Sequence, residues 1–211
     1  LEQFKKEDIE LSDEWLKIFF DNGIFEHFLE DLDFMNSHSL CISDEYFLNQ
    51  YDNIIFEAAQ GLLLDQNNID YFPHLTPSNT GIKNPKKIIE NIEWNDDINI
   101  ETCYVSRTYL TRHGAGKFPS ECNKNFINEY MYDKTNVPNP FQDRLRYGHL
   151  NLRELYNRCS DDIGDFGNTK SIAITHCNEY DKWDNDLLIN LFNDWNIYYS
   201  DGETRNDVDL R

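Results

Sequence analysis

Apolar residues recur at helical spacing in the first part of the chain and gather into short runs further on. In residues 1 to 36, Trp15, Phe19, Phe20, Ile24, Phe28, Leu29 and Leu32 alternate with acidic groups, and Ser12 ahead of Glu14 predicts an N-capped helix. Asn22 and Gly23 are expected to break it before a second short helix, both serving as packing elements. Ser43, Asp44, Glu45 and Tyr46 predict another short capped helix. It leads into Ile54, Ile55 and Phe56, an apolar run of the length of a buried strand, which ends at Glu57-Ala58-Ala59-Gln60-Gly61. Leu62 to Leu64 then re-enter the core, and Asp65 to Asp70 form a turn. Thr76-Pro77-Ser78-Asn79-Thr80-Gly81 reads as a polar loop.

Pro85 is placed to open a helix carrying Ile88, Ile89 and Ile92. Ile98 to Leu110 alternates as one strand, and its end delivers Thr111 to Gly116. Residues 122 to 143 are polar and aromatic, with Pro138 and Pro140 marking a loop. Ser171 to Thr175 is a further strand, Lys182 to Trp195 an amphipathic helix, and Ile197 to Tyr199 a last strand before Ser200-Asp201-Gly202. Strands at 54–56, 103–108, 171–175 and 197–199 interleaved with helices predict an α/β fold: a central, largely parallel or mixed sheet flanked by helices. The organisation expected is a helical segment at 1–52 and an α/β region at 53–211, packed together as one domain.

Charge narrows the partners. A net charge of -20 over 211 residues argues against nucleic-acid phosphate and anionic membrane surfaces. Hydrophobic residues at 39% and aromatics at 14% are enough for a folded core. Arg107, Arg112, Lys117, Arg144, Arg146 and Arg153 nevertheless gather mid-chain, where they could hold a smaller anion. Five scattered cysteines without a CxxC pair predict a reduced, cytoplasmic protein with no zinc site. No apolar run reaches membrane-spanning length, and no secretory leader is visible.

Chemistry is concentrated at the strand ends, where α/β sheets bind ligands. Arg112 beside Gly114 and Gly116 has the composition of an anion-binding nest, and also that of many empty turns. By itself His176-Cys177-Asn178 has little specificity.

FEAAQGLLLD followed by YFPHLTPSNTG resembles the FEGAQGxxLD and YPxVTSSNT signatures of the adenylosuccinate synthetase family. TYLTRHGAGKFPSE, residues 108 to 121, is similar to its TRxGxGPFPTE stretch. RLRYGHLN (144–151), THCN (175–178) and SDGETR (200–205) follow in the family's order, beside an arginine-rich run ending TGWLD, TKLD and STGPDR. Residues 1 to 52 carry no such motif.

The resemblance implies a ligase joining L-aspartate to inosine monophosphate with GTP and Mg2+. It places Gln60 and Thr76 on the nucleoside monophosphate, and Arg112, His113, Gly114, Arg144 and Arg146 around aspartate and nucleotide. His176, Asn178, Ser200 and Gly202 fall on the guanine nucleotide. Asp65 is a shared acid given structural support as its role. Asp143 and Leu145 stand where two family arginines alternate with Arg144 and Arg146, which weakens carboxylate binding. Asn178 replaces the acid that accepts guanine's N1 and amino protons, and His176 replaces the lysine, so guanine preference should fall.

The family's N-terminal GDEGKGK loop and its catalytic aspartate and histidine have no counterpart here, so no catalytic residue is assigned. Three readings stay open. One is the C-terminal portion of a longer ligase, completed by a missing N-terminal region or a homodimer partner and inactive alone. The others are a diverged purine nucleotide-binding relative and an interaction domain.

Overall fold

A computed structural model describes residues 12–39, 42–131, 136–140, 143–180 and 182–210. Cys41, residues 1 to 11 and parts of the 122–143 loop lie outside these. The chain divides into two compact units, one ending at Gln50 and the other running from Tyr51.

The first unit is helical, as its spacing predicts. Helix α1 (Asp13–Phe19) is capped by Ser12, whose side chain accepts from the Trp15 amide. Helix α3 (Asp44–Leu48) is capped in the same way by Ser43. Between them α2 (Asn22–His38) runs for 17 residues and starts at the expected break, because Asp21 accepts from the Gly23 amide and turns that pair into a first turn. It is longer than the short helix expected. Neither α1 nor α2 has a buried residue, and Phe25 and Phe28 are more than half exposed.

The second unit holds two sheets. The larger is mixed and four-stranded, in the order β1 (Glu101–Arg107), β5 (Thr169–Thr175), β6 (Asn196–Ser200), β7 (Val208–Leu210). Strands β1, β5 and β6 are parallel, with Tyr104 opposite Ile172 and Ile172 opposite Ile197, while β7 returns antiparallel. The smaller is antiparallel: β2 (Tyr109–Arg112) and β3 (Glu121–Cys122) flank β4 (Arg146–His149). Helices α4 (Lys83–Glu90), α5 (Lys124–Ile127), α6 (Leu152–Ile163) and α7 (Asn185–Leu191) complete the unit.

The core lies on one face of the larger sheet. Ile172, Ile174, Ile197 and Tyr199 pack with Leu152, Cys159 and Ile163 of α6, Leu188 of α7, and Phe192 and Trp195 beyond it. Asn151 caps α6 by accepting from two amides, and Gly164, at φ 50°, ends it. This is the α/β architecture expected, with sheet and flanking helices as described.

Three boundaries differ from the sequence reading. Ile54 to Phe56 is not a strand: no described strand pairs with it, and Ile55 is 91% exposed. An apolar run becomes a strand only where a neighbour takes its backbone groups. The expected single strand from Ile98 to Leu110 is two strands in two sheets. Thr108, fully buried, donates its N–H to the Thr175 carbonyl (3.1 Å) and its hydroxyl to the His176 carbonyl (3.1 Å), which turns the chain out of the larger sheet. The expected helix over 182 to 195 is confined to α7, while Phe192 and Trp195 reach the core from the turn after it.

Candidate nucleotide site

Strands β1, β5 and β6 run in the same direction, so their C-terminal ends share one edge of the sheet. Parallel sheets bind ligands at that edge, where the connecting turns diverge. Here it carries Arg107 and Thr108, His176 to Glu179, and Ser200 to Gly202. The turns are stitched together: the Cys177 amide donates to the Ser200 carbonyl (3.1 Å), and the Ser200 hydroxyl donates to the Gly202 carbonyl (3.2 Å). His176 adopts φ 61°, an uncommon conformation for a residue with a side chain, and its Nδ1 lies 2.8 Å from the Thr175 hydroxyl. A Cβ at Gly202 would lie 2.7 Å from the Asp207 carboxylate, so a larger residue there would displace that side chain. Four of the residues expected at the guanine nucleotide, His176, Asn178, Ser200 and Gly202, thus come from two adjoining turns. The Asn178 amide is exposed, lines an open cleft of about 370 Å3, and hydrogen-bonds no described residue.

A second cluster lies at the far end of β2. The Arg112 guanidinium donates to the Ala115 carbonyl through Nε and Nη2 (3.1 and 3.0 Å) and to the His74 carbonyl through Nη2 (3.0 Å). This ties the 112–116 loop to the loop that contains Thr76. Burial and, after it, the nearby Arg146 charge pull the Arg112 pKa down. Arg146 forms a forked pair with Glu121 (2.9 and 2.6 Å) and donates through Nη1 to the Gly114 and Gly116 carbonyls (3.0 and 2.9 Å). Gly114 (φ 72°) and Gly116 (φ 106°) turn those carbonyls inward, and a Cβ at Gly116 would collide with Arg112 and His74.

His113 pairs through Nε2 with Asn136 (2.9 Å). Its buried Nδ1 has no partner among the described residues, and Nε2 faces the side-chain carbonyl oxygen of Asn136, so we assign the proton to Nε2. Arg144 is exposed, and its charge adds to the Arg146 hydrogen bond in lowering the Glu121 pKa. Beside it Asp143 sits at φ 56°, paired through its backbone with Asn139. Gln60 is exposed and hydrogen-bonds no described residue.

The Thr76 loop is anchored from within. The Thr76 amide donates to the Leu64 carbonyl (2.9 Å), and Asp65 accepts from the Asn67 and Thr80 amides (2.9 and 2.7 Å). Burial alone would raise the Asp65 pKa, but the hydrogen bonds from Asn67 and Thr80 outweigh it and hold the carboxyl below the ordinary value. A carboxyl with a lowered folded-state pKa contributes stability above its unfolded pKa of about 3.9, and that contribution is lost as pH falls through the lower folded value. Urea unfolding from pH 7 to pH 3 should therefore show a smaller acid loss for Asp65→Asn than for the native chain; equal losses would remove Asp65 as an anchor.

The adenylosuccinate synthetase family profile matches residues 22–185, most of the chain. The chain belongs to the adenylosuccinate synthetase family. Among curated relatives, the adenylosuccinate synthetase of Clostridium perfringens (strain 13 / Type A) is 39% identical over 74 residues, 33% of this chain and 15% of that protein. That of Mesoplasma florum is 35% identical over 95 residues, 38% of this chain and 19% of that protein. The aligned stretches thus span less than a fifth of either relative. The family match reaches back into α2, where no motif was visible, and it stops before Ser200 and Gly202.

Three residues at the strand ends were not singled out from sequence: Tyr109, Glu179 and Lys182. Glu179 and Lys182 line the same cleft as Asn178, and the buried Tyr109 hydroxyl donates to the Glu179 carboxylate. The signal available was an acid directly after Asn178. Among the described residues no three His, Cys, Asp or Glu side chains converge to hold a metal ion. No helix among the described residues is long and apolar enough to cross a membrane.

Proposed function

We propose that this chain is the purine nucleotide-binding portion of an adenylosuccinate synthetase-like ligase, whose family joins L-aspartate to inosine monophosphate with GTP and Mg2+. The observation that carries this reading is the gathering of His176, Asn178, Ser200 and Gly202 at the C-terminal ends of adjacent parallel strands, where α/β sheets take nucleotides. The GTP base and ribose belong at that edge, and inosine monophosphate belongs beside Thr76 and Gln60. Arg112, His113, Gly114, Arg144 and Arg146 shape the neighbouring loop. The phosphate-cradling loop and the acid-base groups that phosphoryl transfer needs come from a further stretch of polypeptide or from a homodimer partner, and this chain by itself is inactive. Purine ligation and free cysteines support a cytoplasmic protein.

A second reading, a diverged binding module without ligase activity, is favoured by the arginines. Arg146 makes four hydrogen bonds within the protein, and Asp143 and Leu145 bring no positive fork for an aspartate carboxylate. Calorimetry tests the first reading with inosine monophosphate, GTP, ATP and adenosine monophosphate, each with and without magnesium. Saturable binding weakened by Thr76→Ala or Gln60→Ala is the expected result for the monophosphate. A folded sample that binds none of the four would overturn the reading.

A further inference from the structure

Strand β1 pairs with β5 on one side, and among the described residues no strand pairs with its other side. Along a strand, successive residues turn their backbone groups to alternate sides. The Ile100 carbonyl accepts from the Asn168 and Thr169 amides (2.9 and 3.1 Å), the Ser106 carbonyl accepts from the Thr175 hydroxyl (3.2 Å), and the Thr108 amide donates to the Thr175 carbonyl (3.1 Å). Even-numbered residues thus face β5, and Glu101, Cys103, Val105 and Arg107 turn their N–H and C=O groups outward. The side chains of these four share the sheet face opposite Tyr104 and the core, where Val105 is 70% exposed. Sheet edges are normally blunted by brevity, proline, lysine or a bulge. The far edge, β7, is three residues long. β1 runs for seven residues in unbroken register and has none of these devices.

We infer that β1 pairs antiparallel with β1 of a second copy of this chain, in the register centred on Tyr104, so that two four-stranded sheets become one. In that register β1 is complementary to itself. Glu101 of each copy stands opposite Arg107 of the other, and Cys103 stands opposite Val105, all on the exposed face. Thr102 stands opposite Ser106 on the other face. Opposite charges, hydroxyl pairs and apolar pairs are the cross-strand neighbours that stabilise a sheet. The outward-facing residues also meet each other, so each such pair exchanges two backbone hydrogen bonds. A slip of one residue sets them against residues that face β5, and a slip of two separates Glu101 from Arg107. Glu101 is already fixed on this face, since its Oε1 accepts from the hydroxyl of the fully buried Ser171. The net charge of -20 on each copy opposes association, but salt at about 0.15 M screens exposed charges more than about 8 Å apart. The pairing requires no ligand and is independent of the nucleotide reading.

Sedimentation velocity of the full chain at about 0.15 M salt tests this. The native protein should form a reversible species of twice the 25.1 kDa monomer mass as its concentration rises through the micromolar range. Val105→Pro removes an N–H that points away from β5, so its own sheet keeps its hydrogen bonds while the dimer should weaken about ten-fold or more. Arg107→Glu should weaken it about ten-fold, and Glu101→Arg with Arg107→Glu should recover most of the loss. Val105→Cys sets a thiol opposite Cys103 of the other copy, at the Cα separation of about 5.5 Å that a disulfide spans. Oxidation should then cross-link the dimer on a non-reducing gel, and Cys103→Ser in the same chain should abolish the cross-link. A native chain that stays monomeric would overturn the inference, as would a dimer that a folded Val105→Pro leaves intact. Should Val105→Pro fail to fold, a dimer that Val105→Cys does not cross-link and the charge exchange does not restore would overturn it instead.

Discussion

Replacement of Phe192 by alanine is expected to cost about 3–5 kcal/mol of folding stability. The ring is fully buried just past the end of α7, with Tyr156 of α6 edge-on at 5.2 Å and Trp195 edge-on at 5.1 Å. It belongs to the cluster that joins both helices to β5 and β6, so its removal leaves a cavity whose walls come from four elements. Collapse into that space would shift α7, which leads directly into β6 and so to Ser200 and Gly202. Urea unfolding followed by far-UV circular dichroism reads the loss. A cost below about 1 kcal/mol would mean that Phe192 lies in a site that repacks freely, contrary to this core.

Asp162→Ala should be the most damaging change at a polar position. The carboxylate of Asp162 on α6 accepts through Oδ2 from the Tyr104 hydroxyl of β1 (2.7 Å) and from the Ile82 amide (3.0 Å). It also fills the space beside Gly81, where a Cβ would lie 2.1 Å from Oδ1. One side chain thus pins the larger sheet, helix α6 and the end of the Thr76–Gly81 loop. Burial and the bond to Asp162 both raise the Tyr104 pKa, so the hydroxyl is a donor at all ordinary pH. Alanine leaves that hydroxyl and the Ile82 amide without an acceptor, at about 1–3 kcal/mol for each group that stays out of water. Asp162→Asn keeps one acceptor oxygen and should cost less. Hydrogen exchange at residues 78 to 84 should speed up in Asp162→Ala well before global unfolding, whereas unchanged exchange there would contradict the pinning role.

What the sequence disclosed depended on how local the cause was. Ser12 and Ser43 cap helices within four residues of themselves, so their roles are visible in a short window. The short apolar runs at 171–175 and 197–199 mark strands that pair with each other in the larger sheet. Ile54 to Phe56 has the same composition, but its fate depends on a neighbouring strand that no described segment supplies. The break at Thr108 was hidden because apolar alternation continues through it, and only the Thr175 and His176 carbonyls, 67 and 68 residues later, turn the chain.

The arginines show the same limit at the site. A guanidinium between glycines suits an anion or a set of carbonyls equally well. For Arg146 the matter depends on Glu121, 25 residues earlier, and on the Gly114 and Gly116 carbonyls. Asn178, Ser200 and Gly202 were singled out from motif order, and the structure brings them to adjoining turns. Glu179 was not, because its placement depends on Tyr109 from a different strand.

The most direct test of a nucleotide site at the strand ends is amide hydrogen exchange of the full chain with and without saturating GTP. Slower exchange confined to residues 107–109, 176–179 and 200–202 is the expected result. Saturable GTP binding that leaves all three turns unprotected would place the site elsewhere and contradict the account.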